Sequence, residues 1–376
     1  MLVAGLSTRA MVESAARAGW AVASVDAFGD LDNAGDPALA LTRDFGVPYG
    51  VPAIVRAARE LPYDVVVYVS SLENHPHAVE RLAEGRTLWG NSPDVLRRVR
   101  DPLGLARALR ARGIPAPGVR ATPPRDGASP SRWLSKPRAS GGGHGIAPWH
   151  AGAALPRSRV LQERIAGVPG SLVFAADGRD AVPFGISRQL VGERAFGASG
   201  FGYCGSILAS PSAPAILPAA AEVARALVET FALVGVNGVD FVVRDGRPVP
   251  IEVNPRASAS MELAEHAFGF SVFAAHADGC RGRLPRFDLS EVLRGAGALG
   301  KAIVFARRDV VMGDTRRWLE RDDLRDVPHP GEHIAAGHPV CTILARGGTV
   351  ERCRAALVRR ARRLYEEIEG RRRRIA

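Results

Sequence analysis

The sequence predicts a mixed α/β (α+β) protein of three lobes, and three observations carry that expectation. Near the N-terminus, short continuous apolar runs flank a helical pattern; the middle holds a glycine-rich loop and then a hairpin studded with polar residues; after Pro285 the chain turns to short strands. At 376 residues with 46% hydrophobic content, the chain can bury several cores. The lobes are expected at 1–95, 96–283 and 284–376.

In the first lobe, Leu2–Leu6, Ala21–Asp26 and Asp64–Ser70 read as buried parallel strands, and Thr8–Ala18 as the helix after the first. That β-α-β order predicts a Rossmann-like scaffold. Gly5-Leu6-Ser7-Thr8-Arg9 opens the helix but lacks G-x-G-x-x-G, so a scaffold without a dinucleotide is expected. Ser70-Ser71-Leu72-Glu73-Asn74-His75 follows the third strand at its carboxyl end, where open α/β sheets bind ligands. Glu73 and Asn74 are therefore candidate substrate contacts, with helix capping as the plainer alternative.

The middle lobe carries three motifs. In Trp133–Ile146, a strand delivers Lys136, and a loop follows with four glycines among residues 141–145. Such a loop lets backbone N–H groups approach an anion, although linkers share its composition. Only two lysines, Lys136 and Lys301, occur among 50 basic residues, so a lysine at 136 suggests a site that needs a compact ammonium. Arg159–Gly178 then reads as strand, turn, strand, turn, with Gln162–Ile165 at the connection able to offer backbone groups to a base edge. In Gly238–Arg256 the pattern is a β-hairpin, strands 239–243 and 249–253 around Asp245-Gly246. Alternation along a strand puts Glu252 and Asn254 on one face, and Asp240 can face them from the partner strand. Three hard oxygen donors suit Mg²⁺ shared with phosphates, and Arg256 adds a positive fork. A solvated surface hairpin is the alternative.

Taken in order, these motifs resemble the ATP-grasp superfamily, and within it the predicted ATP-dependent carboligases, related to biotin carboxylase and D-alanine–D-alanine ligase. The resemblance spans residues 95–275. It implies an ATP-grasp fold with a Rossmann-like domain before it and a small C-terminal β-domain after it. It also implies ATP and Mg²⁺ (or Mn²⁺) as cofactors. Lys136 and the Ser140, Gly141, Gly142, Gly143, His144, Gly145 lid would meet the phosphates, and Gln162, Glu163, Arg164 and Ile165 the adenosine. Asp240, Glu252 and Asn254 would hold the metal, with Arg256 and Lys136 catalytic. The implied activity is ADP-forming ligation of a small-molecule carboxylate to an amine through an acyl-phosphate. Neighbouring ligases act on one-carbon carrier cofactors. The alternatives are a catalytically degenerate nucleotide-binding scaffold or regulator, and a carboxylase-type enzyme, although no biotinyl Met-Lys-Met site is present. One departure stands out: Pro102 follows Asp101 where the family usually has an ATP-binding lysine, so Arg97, Arg98 or Arg100 is expected to substitute.

The remaining sequence adds detail. Phe184–Val191 reads as a strand that could turn Arg188 and Gln189 toward the cleft as substrate contacts. Gly197–Gly205 is too glycine-rich to be regular, Ala121–Ser131 reads as an exposed loop, and Ala213–Leu233 as a helix interrupted near Pro218. Lys301–Ala306 and Asp326–Ala345 supply the late strands. His276, His329, His333 and His338 fit no zinc spacing, and four scattered cysteines fit neither a disulfide framework nor a zinc site, which favours a cytoplasmic location. No secretory signal and no membrane span are expected. Much of the +11 net charge sits in a C-terminal helix (Leu357, Ala361, Leu364, Ile368 apolar) and in Arg371–Arg374. With only 6% aromatic residues, nucleic-acid binding is not expected; a homodimer is compatible with the pattern.

Overall fold

The computed structural model describes residues 1–124, 132–208, 213–293 and 297–370. The first lobe is a parallel sheet of β1 (Leu2–Ala4), β2 (Ala23–Asp26), β3 (Ala38–Ala40), β4 (Val65–Tyr68) and β5 (Thr87–Trp89), in the order β3-β2-β1-β4-β5. β1, β2 and β4 are the expected apolar runs, and helix Arg9–Arg17 follows β1. β3 and β5, three residues each, were too short to show a period. The order reverses between β1 and β4, so Ser70–Asn74 leaves the sheet at its switch point.

The second sheet is antiparallel and holds β6 (Val119–Arg120), β7 (Trp133–Pro137), β8 (Ala147–Pro148) and β9 (Arg159–Glu163). The remaining strands are β10 (Val168–Asp177), β11 (Ala181–Val191), β12 (Tyr203–Leu208), β13 (Val234–Arg244), β14 (Arg247–Asn254), β15 (Ala298–Phe305), β16 (Val310–Val311), β17 (Leu324–Arg325), β18 (His333–Ile334) and β19 (Pro339–Gly347). Eight of them form one sheet in the order β14-β13-β10-β11-β12-β15-β19-β17. The C-terminal strands therefore continue the sheet of the middle lobe, through pairing of β12 with β15. Helix Ala213–Phe231 covers one face of this sheet, packing Ala224, Leu227 and Val228 among Leu172, Phe174 and Phe241. Helix Val350–Gly370 buries Leu357, Ala361 and Leu364 against the β15–β19 end, as its spacing predicts.

Two local expectations are corrected. Helix Ala213–Phe231 runs through Pro218 without a break. The proline lies in the second turn, where it removes a single i→i−4 bond and the packed face holds the helix together. The segment 197–205 is only partly irregular, because Tyr203, Cys204 and Gly205 enter β12. Most of the 121–131 loop and all of Arg371–Arg374 lie outside the described residues.

A buried ion network ties the three lobes together. Arg9, 1% exposed, lies 2.6 Å from Glu262 and 2.8 Å from Asp326, and Lys301 lies 2.6 Å from the other Glu262 oxygen. The second of the two lysines thus serves an interior ion pair. Glu262 is held well below the usual carboxylate range: burial would raise it, but Arg9 and Lys301 overcome that. The four cysteines are free, three of them buried. Among the described residues, no helix is long and apolar enough to cross a membrane.

Candidate active site

The hairpin forms as its sequence predicts. β13 and β14 are joined by Asp245 (φ 52°) and Gly246 (φ 73°), the paired left-handed residues of a tight two-residue turn. The register sets Asp240 opposite Glu252 and Gly238 opposite Asn254. The three polar side chains gather at one place. Asn254 Nδ2 donates to Asp240 Oδ2 at 3.1 Å, and Gln189 Nε2, arriving from β11, donates to Asp240 Oδ1 at 2.9 Å. Lys136 Nζ from β7 lies 2.5 Å from Glu252 Oε2, and Arg100 Nη1 lies 2.7 Å from Glu252 Oε1.

The two carboxylates are pushed in opposite directions. Asp240 rises to about 6, first because it is buried and then because Glu252 repels a second negative charge. Glu252 is also buried, but Lys136 and Arg100 outweigh that and hold it at about 2. Such a split between neighbouring carboxylates is a mark of functional sites.

The lid arches over this cluster. Tyr203 N–H donates to Gly142 O at 2.9 Å, and Gly143 (φ 79°) sits so close that a Cβ there would collide with the Phe201 carbonyl. Only glycine allows that approach. Between the second sheet and β14 opens a cleft with Val99, Leu105, Val119 and Ile251 as apolar wall and Lys136 and Gln162 as polar groups. That lining, an apolar wall with a few polar groups, suits a base with its sugar. Gln162 is buried and donates to Ile251 O at 3.0 Å. Glu163 faces the other side of β9, where it accepts from Gly118 N at 2.9 Å and from Arg132 at 3.2 Å. Arg164 is exposed, and neither it, Glu163 nor Ile165 lines the cleft.

Of the candidate substrate residues, Glu73, Asn74 and Gln189 reach the cluster. Glu73, 1% exposed, accepts from Arg256 Nη2 at 2.8 Å, and Asn74 Oδ1 accepts from Arg100 Nη2 at 2.7 Å. Arg188 does not reach it: alternation along β11 turns it outward, 42% exposed and 4.0 Å from Glu351. Of the three arginines before Pro102, only Arg100 enters the site. Arg97 pairs with Asp94 at 2.6 Å, and Arg98 donates to Phe231 O at 2.9 Å. Sequence reasoning missed the clamp on the chain after Asn254, where Tyr68 Oη and Asn91 Nδ2 both donate to Pro255 O, at 2.9 and 3.0 Å. No local pattern marks those residues, which lie more than a hundred positions away.

Residues 99–260 match the family model of the ATP-grasp domain. This segment is an ATP-grasp domain. Solved structures agree on the fold. Pyruvate carboxylase of Rhizobium etli superposes with a TM-score of 0.71 at 15% identity, over 95% of this chain and 37% of that one. Carboxyaminoimidazole ribonucleotide synthase of Aspergillus clavatus, complexed with ATP, gives 0.68 at 16% identity over 98% of both chains. L-amino acid ligase of Bacillus licheniformis gives 0.65 at 15% identity over 96% of both. An uncharacterized protein of Methanocaldococcus jannaschii is 23% identical over 125 residues, 33% of this chain and 30% of its own length.

The polar cluster of the ATP-grasp domain fits a divalent cation. Two carboxylates face each other across β13 and β14 and repel, and the Asn254 amide lies beside them, its nitrogen donating to Asp240 and its oxygen accepting from Arg256 Nη2 at 3.3 Å. Among the described residues, no group of three or more His, Cys, Asp and Glu side chains stands ready to hold a metal. The protein's share is thus two carboxylates and an amide, which leaves other positions for phosphate oxygens and water, as Mg²⁺ prefers.

Proposed function

We propose that this protein is an ATP- and Mg²⁺-dependent ligase that joins a carboxylate to an amine through an acyl-phosphate, releasing ADP and phosphate. One observation carries the reading: Lys136 from β7, Asp240 from β13, Glu252 and Asn254 from β14 and Arg256 just after it converge beside the apolar cleft, under the glycine lid. A solvated hairpin would not place 9%-exposed Lys136 on 16%-exposed Glu252.

In this reading the base occupies the cleft beside Gln162, and Lys136 swings from Glu252 to the phosphates, neutralising charge as the γ-phosphoryl group moves. Mg²⁺ held by Asp240, Glu252 and Asn254 would supply a Lewis acid at the phosphoryl oxygens. Arg256, anchored by Glu73, presents its guanidinium where the substrate carboxylate attacks, and then stabilises the oxyanion when the amine adds. The docked lid excludes water, which would otherwise hydrolyse the acyl-phosphate.

The test is product analysis by ³¹P NMR with panels of carboxylates and amines, pterin- and furan-type one-carbon carriers among them. ADP and phosphate formed only with both partners support the ligase. Pyrophosphate release refutes it. Nucleotide binding with no turnover on any pair would favour the degenerate scaffold.

A further inference from the structure

Arg100 makes contacts that no nearby arginine shares. It caps helix Pro93–Val99, and its side chain, 10% exposed, reaches three segments of the protein. Nη1 donates to Glu252 Oε1 at 2.7 Å and to Val253 O at 2.9 Å, both on β14. Nη2 donates to Asn74 Oδ1 at 2.7 Å, in the N-terminal lobe, and to Ser140 O at 2.8 Å, in the lid. Nε completes the set with Asn74 Oδ1 at 3.1 Å. Arg100 and Lys136 therefore take one oxygen each of the same carboxylate, Glu252, and both side chains line the cleft.

Two cations on one metal-binding carboxylate create a competition. A divalent cation must compete with Arg100 and Lys136 for the charge of Glu252, and two buried cations leave Glu252 only at a high cost unless another anion takes them. A triphosphate arriving with the divalent cation resolves both demands at once. Accepting the ATP-binding reading above, we propose that Arg100 is a nucleotide-phosphate ligand, held on Glu252 until nucleotide and divalent cation bind together. Its fork then turns to the phosphates as Glu252 passes to the metal. Through Ser140, Arg100 links that exchange to the lid. A planar fork holds Glu252, Val253, Asn74 and Ser140 at once and could take a phosphate in bidentate fashion, which an ammonium cannot do.

The exchange predicts opposite effects on the two ligands when Arg100 is removed. Mn²⁺ binding to nucleotide-free protein is read by electron paramagnetic resonance, and AMP-PNP binding by calorimetry with and without Mg²⁺. In the wild type, metal and AMP-PNP should strengthen each other about tenfold or more. In Arg100→Met, Mn²⁺ alone should bind about tenfold tighter, because Glu252 has lost a competitor, while Mg·AMP-PNP should bind at least about tenfold weaker. Arg100→Lys, which keeps the charge and the fold, should fall between the two. Melting curves establish that each variant is folded. A purely architectural Arg100 would weaken both ligands together or move neither, and either result overturns the proposal. Wild-type protein that binds no AMP-PNP would overturn the ATP reading and this proposal with it, whereas normal wild-type binding left unchanged in both variants overturns this proposal alone.

Discussion

Asp240 and Glu252 face each other across one hairpin, yet neutralising them should change stability in opposite directions. Glu252 falls from 4.5 to about 2 in the folded protein. Its folded value lies below its unfolded one, so the stability it contributes is present above pH 4.5 and is lost as pH falls toward 2. The shift corresponds to about 3 kcal/mol, the same order as breaking a buried ion pair. Asp240 rises from 3.8 to about 6. The folded protein therefore gains from a protonated Asp240 below pH 3.8, and loses that gain as pH climbs through 6. At pH 7.5 and without metal, Glu252→Gln should destabilise by about 3 kcal/mol, stranding Lys136 and Arg100, and Asp240→Asn should stabilise by about 1–2 kcal/mol. Both variants should lose metal-dependent nucleotide binding, and with it about 10³-fold or more of any phosphoryl-transfer rate. Urea denaturation with EDTA at pH 7.5 and pH 5 reads the stabilities, and the advantage of Asp240→Asn should shrink at the lower pH, where Asp240 is itself largely protonated. Two variants that shift stability in the same direction would refute the idea that one carboxylate is internally neutralised and the other repelled.

Three further outcomes follow from named contacts. Lys136→Arg should impair Mg·AMP-PNP binding nearly as much as Lys136→Ala, because a bulky fork cannot occupy the 2.5 Å contact made by the ammonium; calorimetry showing wild-type affinity for Lys136→Arg would make the lysine incidental. Gly143→Ala should push the lid off the Phe201 carbonyl and combine that clash with a strained φ of 79°, weakening nucleotide binding and exposing the loop to limited proteolysis; unchanged cleavage would detach the lid from closure. Arg9→Met should cost about 3–5 kcal/mol in urea denaturation by leaving Asp326 without its guanidinium partner and Glu262 with Lys301 alone, and an effect below 1 kcal/mol would show that the network is dispensable.

Legibility followed sequence distance. The β13–β14 hairpin was readable because period-two alternation and Asp245-Gly246 are local signals, and its register then put Asp240 across from Glu252 without further information. The same alternation places Gln189 inside, on Asp240, and Arg188 outside, but adjacent residues cannot show which of the two faces the cleft. Strand pairing between β12 and β15 joins segments almost a hundred residues apart, and the late strands therefore read as a separate small domain rather than as a continuation of the middle sheet. Scarcity of lysine was a sound reason to single out both lysines, yet the two serve different ends. Lys136 lines the cleft beside Glu252, whereas Lys301, with Arg9, neutralises Glu262 in the interior.

The N-terminal lobe contributes more to the site than a scaffold would. Glu73 and Asn74 leave its sheet at the switch point and hold the two guanidiniums, Arg256 and Arg100, that flank the β13–β14 hairpin. Tyr68 and Asn91, from the same lobe, fix Pro255 between Asn254 and Arg256. Each contact crosses from the first lobe to the hairpin or its flank, so a small rotation between them would move both arginines and release the lid carbonyl of Ser140 at once. Geometry held this way suits a reaction in which a reactive acyl-phosphate must wait for an amine. Under the ligase proposal, opening the lobes would dismantle the cation cluster and the lid together, and the same few hydrogen bonds would keep substrate exchange and phosphoryl transfer apart in time.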